Sequence, residues 1–420
     1  MNERIVILGG GTGGTLLANR LRAGLGDRTR ITVIDRDDSH LYQPGLLFVP
    51  FGLTAPQRLV RSRSAQLREG IDLRLATVDS VELAAGEVTL QGGGRVGYDV
   101  LVVASGASLL PRETEGLTGP GWGTRAFTFY TLDGATGLRD ALASWRGGKL
   151  VVNLTDLPIK CPVAPLEFCF LADWHLRRRG IRGTTELTFV TSLDGAFTKP
   201  VASRELDGLL RAKGVEVVTD FNTGSVDGEA GVLTSYDGRE VPFDLLVSVP
   251  LHGGAEFVQR SPELADELGF VRVDRHTLRS LAAENVFAIG DATDAPTSKA
   301  GSVAHFQADT VAANVGHVLA SQPLEGSFDG HANCFVETGY GKGLLIDFNY
   351  ELEPVTGRFP DPRFGPLPLL RESRLNHLGK RAFEWAYWHL LLPGHRIPGV
   401  RSQLQNGGGR MPAITQGATR

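Results

Sequence analysis

Cysteine is scarce. The 420-residue chain has only three, Cys161, Cys169 and Cys334, too few for a disulfide scaffold, so each needs its own explanation. Long apolar runs are also missing: no stretch approaches the roughly 18 apolar residues of a spanning helix, which excludes an integral membrane protein. Charge of one sign is lacking as well, and a formal net charge of −4 gives no reason to expect nucleic acid as a partner. No leader is expected, because Arg4-Ile5-Val6-Ile7-Leu8 already reads as a core strand where a charged and apolar leader would stand. No haem-attaching Cys-x-x-Cys-His occurs, and no metal site is expected. What remains is an ordinary globular composition, 42% hydrophobic and 21% charged, long enough for two or three domains.

The strand Arg4–Leu8 runs into Gly9-Gly10-Gly11-Thr12-Gly13-Gly14 and then a helix-like "TLLANRLRAGL". This is G-x-G-x-x-G in the context the motif requires. Gly9, Gly11 and Gly14 allow a tight turn and close backbone approach, and the helix N-terminus offers N–H groups to a pyrophosphate. A second strand, Ile31-Thr32-Val33-Ile34, ends in Asp35, where a ribose hydroxyl acceptor belongs. Strand, loop, helix, strand and acid together predict a dinucleotide site.

Two later segments bear on which dinucleotide. Tyr98-Asp99-Val100-Leu101-Val102-Val103 is a buried strand leading into Ala104-Ser105-Gly106-Ala107, and Asn285-Val286-Phe287-Ala288-Ile289 is another, ending in Gly290-Asp291. Both resemble the flavin-binding segments of two-dinucleotide-domain flavoprotein reductases. That resemblance implies FAD, with Asp291 on the ribityl chain; a helix cap is the alternative role for this acid. The fold expected is α/β, with two Rossmann-like dinucleotide-binding domains. The FAD domain is discontinuous (1–112 and 276–322), the second domain (113–275) is inserted, and a C-terminal membrane-interface region follows (323–420).

The inserted domain lacks its own phosphate loop. After the strand Leu150–Leu154 comes "TDLPIKCPVAPLEF", with prolines that cannot donate backbone N–H groups to a pyrophosphate. The next strand, Glu186–Val190, ends in Thr191-Ser192 and not in an acid. NAD(P)H is therefore a poor electron donor here. Pro165 suits the first turn of a helix continuing through "LEFCFLADWHLRRRG". Cys161 then lies about one turn ahead of that helix, beside Lys160, and both features favour its thiolate. Cys169 falls on the buried face, where a small hydrophobe is expected.

Taken with "HLYQPGLLFVPFG" (40–52), Lys160-Cys161-x-x-x-Pro165, "IGDATDAPTSKAGSVAHFQ" (289–307) and the segment from Cys334 to Gly339-Tyr340, the chain resembles the sulfide:quinone oxidoreductases over most of its length. The resemblance implies FAD-dependent oxidation of sulfide to sulfane sulfur or polysulfide, with electrons leaving to quinone. The family's cysteine pair facing the flavin maps onto Cys161 and Cys334; two unrelated structural cysteines are the alternative. Many members carry a third functional cysteine upstream of the first, and none precedes Cys161 here.

Lys299 follows the Gly-Asp segment and is a candidate to stabilise anionic flavin or a quinone carbonyl; a solvated loop lysine is the alternative. Lys342 is a weaker candidate of the same type that reads as surface, and Glu167 is a candidate acid or base near Cys161, with a first-turn residue favourable to the helix dipole as the alternative. The stretch Trp385–Leu392, behind Arg371, Arg374, Lys380 and Arg381, has the aromatic and cationic make-up of an interfacial helix, with a core or dimer-interface helix as the alternative. The resemblance favours peripheral, monotopic attachment to the inner or cytoplasmic membrane on its cytoplasmic face, and a homo-oligomer is possible. The tail 405–420 reads as disordered. Competing activities are a type II NADH:quinone oxidoreductase, a sulfide dehydrogenase with a cytochrome acceptor, and a flavin-bound sulfane-sulfur carrier.

Overall fold

Five parallel strands form the first sheet, in the spatial order Val286–Ala288, Val100–Val103, Glu3–Leu8, Thr29–Asp35 and Ile71–Leu75. Val100–Val103 and Ile5–Leu8 are wholly buried. That is why they read as unbroken apolar runs and not as alternating ones: parallel strands are covered on both faces. The strand Val286–Ala288 joins this sheet from far down the chain, so the intervening polypeptide is an excursion that returns. A computed structural model provides these coordinates, and it describes residues 3–404; the tail 405–420, expected to be disordered, lies outside them.

The excursion builds a second parallel sheet, ordered Ala126–Phe127, Leu245–Val249, Gly148–Leu154, Thr185–Thr191 and Glu216–Val218. Each sheet is accompanied by a three-stranded antiparallel meander, Val78–Gly97 for the first and Thr223–Pro242 for the second. The repeated plan is that of the expected two-dinucleotide-domain α/β fold.

The chain then forms a long hairpin, Ala332–Gly339 with Lys342–Phe348, and a helix, Arg374–Ala386, prolonged by a wider π-helical turn, Tyr387–Leu391. The hairpin lies between that helix and Ala164–Arg178 of the second sheet's unit. One continuous apolar core runs through both sheets, the hairpin and the C-terminal turn, and a smaller cluster around Phe221, Phe243 and Leu246 covers the outer face of the second sheet. Among the described residues no helix is long and apolar enough to cross a membrane.

Candidate active site

The glycine-rich loop is shaped by close approach. Gly9 has φ +100°, and a Cβ there would meet the Ala104 carbonyl oxygen at 2.6 Å; one on Gly14 would lie 1.9 Å from the Gly9 oxygen. Above Gly11, by contrast, nothing lies within 4 Å. Gly11 opens the helix Thr12–Leu25 without any side-chain cap, so its first N–H groups face open space. A helix start of this kind attracts an anion. Ser105 Oγ and Gln307 Nε2, both buried, have no protein partner, and the Gln307 Oε1 atom accepts the Gly290 N–H at 2.6 Å. Asp35 stands at the end of its strand, but its carboxylate is already engaged. It accepts from the Gly10 and Arg36 N–H groups at 2.7 and 2.8 Å and pairs with buried Arg63 at 2.8 Å. Arg63 had no sequence signal.

Gly290 and Asp291 form a single tight turn. The helix Gly301–Leu319 begins instead at Ala300, with no side-chain cap, so capping is not what Asp291 does. Burial pushes its carboxyl up, opposed by Lys299 and Lys160. Lys299 is not a solvated loop lysine: its ammonium donates to the Asp291 and Thr293 carbonyls at 3.1 and 2.8 Å and sits 3.6 Å over the Phe270 ring. Burial draws it down to about 8, with Asp291 opposing. The Lys299 carbonyl in turn accepts the Cys161 N–H at 2.6 Å, closing a short parallel bridge between the two segments. Ala104, Ser105, Gly106, Gly290, Asp291, Lys299 and Cys161 thus converge on one region.

Cys161 has φ +49°, a left-handed conformation costly for a side chain with a Cβ. It is held there by its N–H bond to Lys299, by Ala164 N–H donating to its carbonyl at 2.9 Å, and by the Tyr130 hydroxyl donating to the same oxygen at 3.2 Å. The expected thiolate is not favoured. Burial, reinforced by the Glu167 carboxylate, pushes the Cys161 thiol up to about 12, and Lys380 only partly offsets them. The local helix start is outweighed because desolvation and a buried acid both disfavour the charged form. Cys334, on the hairpin, is also pushed up by burial, then by Cys161 and Glu167. Cys161 is thus among the groups that act on Cys334. Cys169 is wholly buried in the core.

Glu167 is more than a first-turn residue that suits the helix dipole. It is buried, accepting the Glu337 N–H at 2.5 Å and the Lys380 ammonium. Lys380 also donates to the Phe335 carbonyl at 3.1 Å, and Glu337 holds His377 at 2.8 Å. This chain of charges reaches from the cysteines to the C-terminal helix. Lys342 is exposed, as expected.

The aromatic stretch is divided. Trp385 is 60% exposed, and with Leu375 and Leu378 it forms an outward apolar stripe beside the exposed Arg371, Arg374 and Arg381. Tyr387, Trp388, Leu391 and Leu392 turn inward and are buried, the two aromatic rings packing against His40 and Tyr42. His40 Nδ1 donates to the Gly10 carbonyl (3.2 Å), so Nε2 accepts from the Tyr387 hydroxyl (2.7 Å), whose oxygen also contacts Thr12 Oγ1 at 2.8 Å. Sequence reasoning missed His40, Tyr387 and Lys380 as partners of this site, since nothing local marks contacts between the two ends of a chain.

Residues 3–152 match the family of pyridine nucleotide-disulphide oxidoreductases. The chain is 27% identical over 396 residues to the mitochondrial sulfide:quinone oxidoreductase of Dictyostelium discoideum, covering 93% of this chain and 86% of the relative. It is 28% identical over 431 aligned positions to that of Schizosaccharomyces pombe, covering 95% and 92%. The crystal structure of the Aquifex aeolicus sulfide:quinone oxidoreductase superposes with a TM-score of 0.80 at 21% identity, covering 94% of this chain and 92% of that one. FAD fits the cradle described: open space above Gly11 for a pyrophosphate, uncapped helix N–H groups, and unpartnered Ser105 and Gln307 atoms lining the approach. With this loop and this fold, the chain is similar over nearly its whole length to sulfide:quinone oxidoreductases, and its first 152 residues to the pyridine nucleotide-disulphide oxidoreductases, with FAD as its cofactor.

Proposed function

We propose that this protein oxidises hydrosulfide to sulfane sulfur through a Cys161/Cys334 redox pair and delivers the electrons to a membrane quinone. The observation that carries the reading is the packing of the helix that follows Cys161 against the strand that bears Cys334, joined by the Glu337 N–H to Glu167, with Cys161 hydrogen-bonded to the segment after Gly290-Asp291. In the oxidised enzyme the pair is a disulfide. Hydrosulfide attacks one of its sulfurs, the S–S bond breaks, that cysteine carries the new sulfur as a persulfide, and the other is released as a thiolate. Bound FAD supplies the two-electron acceptor and passes the pair to quinone. Residues 1–112 with 276–322 hold it through Gly9, Gly11, Gly14, Ser105 and Asp291, Asp35 braces the loop through the Gly10 N–H and Arg63, and Lys299 places positive charge beside Asp291.

Quinone reduction consumes two protons. Lys380 and Glu167 form a buried pair able to hold and release one, and His377 on Glu337 links that pair toward solvent. The stripe Leu375, Leu378 and Trp385 with its flanking arginines suits a membrane surface, where a quinone is met.

Anaerobic addition of sulfide tests the reading. Sulfide should bleach the flavin of the wild-type protein and of Cys169→Ser, whereas Cys161→Ser and Cys334→Ser retain FAD but do not bleach. Bleaching by NADH alone would move the assignment to an NADH:quinone oxidoreductase. Bleaching by neither would leave a sulfur carrier.

A further inference from the structure

Cys161 precedes the helix Ala164–Arg178, and Cys334 lies on the strand Ala332–Gly339. These elements belong to different units, so how closely the sulfurs approach depends on how the helix lies along the strand. Near the cysteines, Glu167 joins the two through the Glu337 N–H. At the far end a second join exists that the chemistry described so far does not use. The Tyr340 hydroxyl donates to Asp173 Oδ2 at 2.7 Å. Asp173 is fully buried, and its other oxygen is gripped by Arg177 and Arg182 at 3.0 and 2.9 Å, so the acceptor is fixed in place. Between the two joins, Gly339 approaches so closely that a Cβ there would meet the Trp174 Cβ at 2.9 Å.

Tyr340 is an unusual residue for its position. With Gly341 it forms the two-residue hairpin turn, at φ +56° and +68°. Such turns favour Asn or Gly, and a bulky aromatic in the left-handed region carries a steric penalty. Burial does not compensate, because the residue is 46% exposed. What it gains is the hydroxyl bond to Asp173 and the Lys213 ammonium 4.8 Å over its ring; Tyr340→Phe keeps the ring and removes only the former.

We propose that Tyr340 is a positioning residue: by stapling the hairpin tip to Asp173 it sets the register of helix against strand that brings Cys161 and Cys334 together. This rests on the reading of those cysteines as a redox pair.

The test is the thiol–disulfide equilibrium of the FAD-loaded protein in buffers of reduced and oxidised dithiothreitol. There the two protein thiols become one disulfide as cyclic dithiothreitol disulfide is reduced to dithiol. The Cys161–Cys334 link is read by peptide mass spectrometry. Tyr340→Phe removes only the hydroxyl, and Tyr340→Gly keeps the turn at ease while removing the staple. Both should lower the equilibrium constant on the order of fivefold, because a looser register lowers the effective concentration of one thiol at the other, with FAD content and unfolding temperature showing that the fold persists. Constants equal to wild type in both variants would overturn the positioning role. Failure of the wild type itself to form the Cys161–Cys334 disulfide would instead overturn the redox-pair reading, and this inference with it.

Discussion

Replacing Glu167 with Gln should make Cys161 more reactive, although it removes a polar contact from the site. Burial and the Glu167 carboxylate hold the Cys161 thiol up at about 12, so at pH 8 the thiolate is about one part in ten thousand. An ordinary thiol near 8.5 would be about a quarter ionised at that pH. Glu167→Gln removes the second-largest cause and leaves the Lys380 ammonium uncompensated, and both changes favour the thiolate. A like charge at close range is worth about tenfold or more in thiolate population, so the alkylation rate of Cys161 should rise by about that factor. Lys380→Met should do the opposite, because the buried carboxylate then acts without its cation. The assay is iodoacetamide labelling of the reduced, FAD-loaded protein at pH 8, with the Cys161 peptide followed separately from those of Cys169 and Cys334. Breaking one partner of a buried ion pair can cost about 3–5 kcal/mol of stability. Circular dichroism and the double variant Glu167→Gln/Lys380→Met, which removes both charges, therefore guard against unfolding as the source of reactivity. Equal or slower labelling in a folded Glu167→Gln protein would show that this carboxylate does not control the thiol.

Gly14→Ala should abolish FAD retention or folding, since its Cβ would lie 1.9 Å from the Gly9 oxygen; flavin absorbance of the purified protein checks this. Stability should fall as pH drops below about 6.5. Burial lowers His40 to about 4 and His252 and His305 to about 3, so the unfolded chain takes up these protons first and the contribution is complete only above the unfolded value. Melting temperature against pH reports the slope, and His40→Asn should flatten it by up to one proton; an unchanged slope would contradict a neutral buried His40. The double variant Leu378→Glu/Trp385→Glu, at positions 59% and 60% exposed, should lose sedimentation with anionic lipid vesicles while sulfide still bleaches its flavin. Undiminished sedimentation would assign the stripe another role.

What could be read from the sequence, and what could not, follows from how far each feature reaches along the chain. The loop Gly9–Gly14 is legible because the steric demands of a phosphate turn are satisfied within a few residues of strand and helix. The return of Val286–Ala288 to the first sheet is legible by another route, the resemblance of the segment ending in Gly290-Asp291 to flavin-binding segments, which ties a distant strand to the N-terminal loop. Cys161 shows where local reasoning fails. A helix start and a neighbouring lysine argue for thiolate, and both are present, yet burial and Glu167 reverse the sign. Glu167 itself occupies a position where exposed acids are common. Only the arrival of Lys380 and the Glu337 N–H, from helix and hairpin far along the chain, turns it into a buried charge. The stretch Trp385–Leu392 divides for the same reason: its composition suits an interface, but Tyr387 finds His40 and Thr12 within hydrogen-bonding reach, and the chain rolls inward after Ala386 into a wider turn that seats it there. An exposed stripe and a buried anchor thus alternate within one short segment. The outward apolar surface on Trp385 and Leu378 is thereby mechanically continuous with the loop that would hold the pyrophosphate.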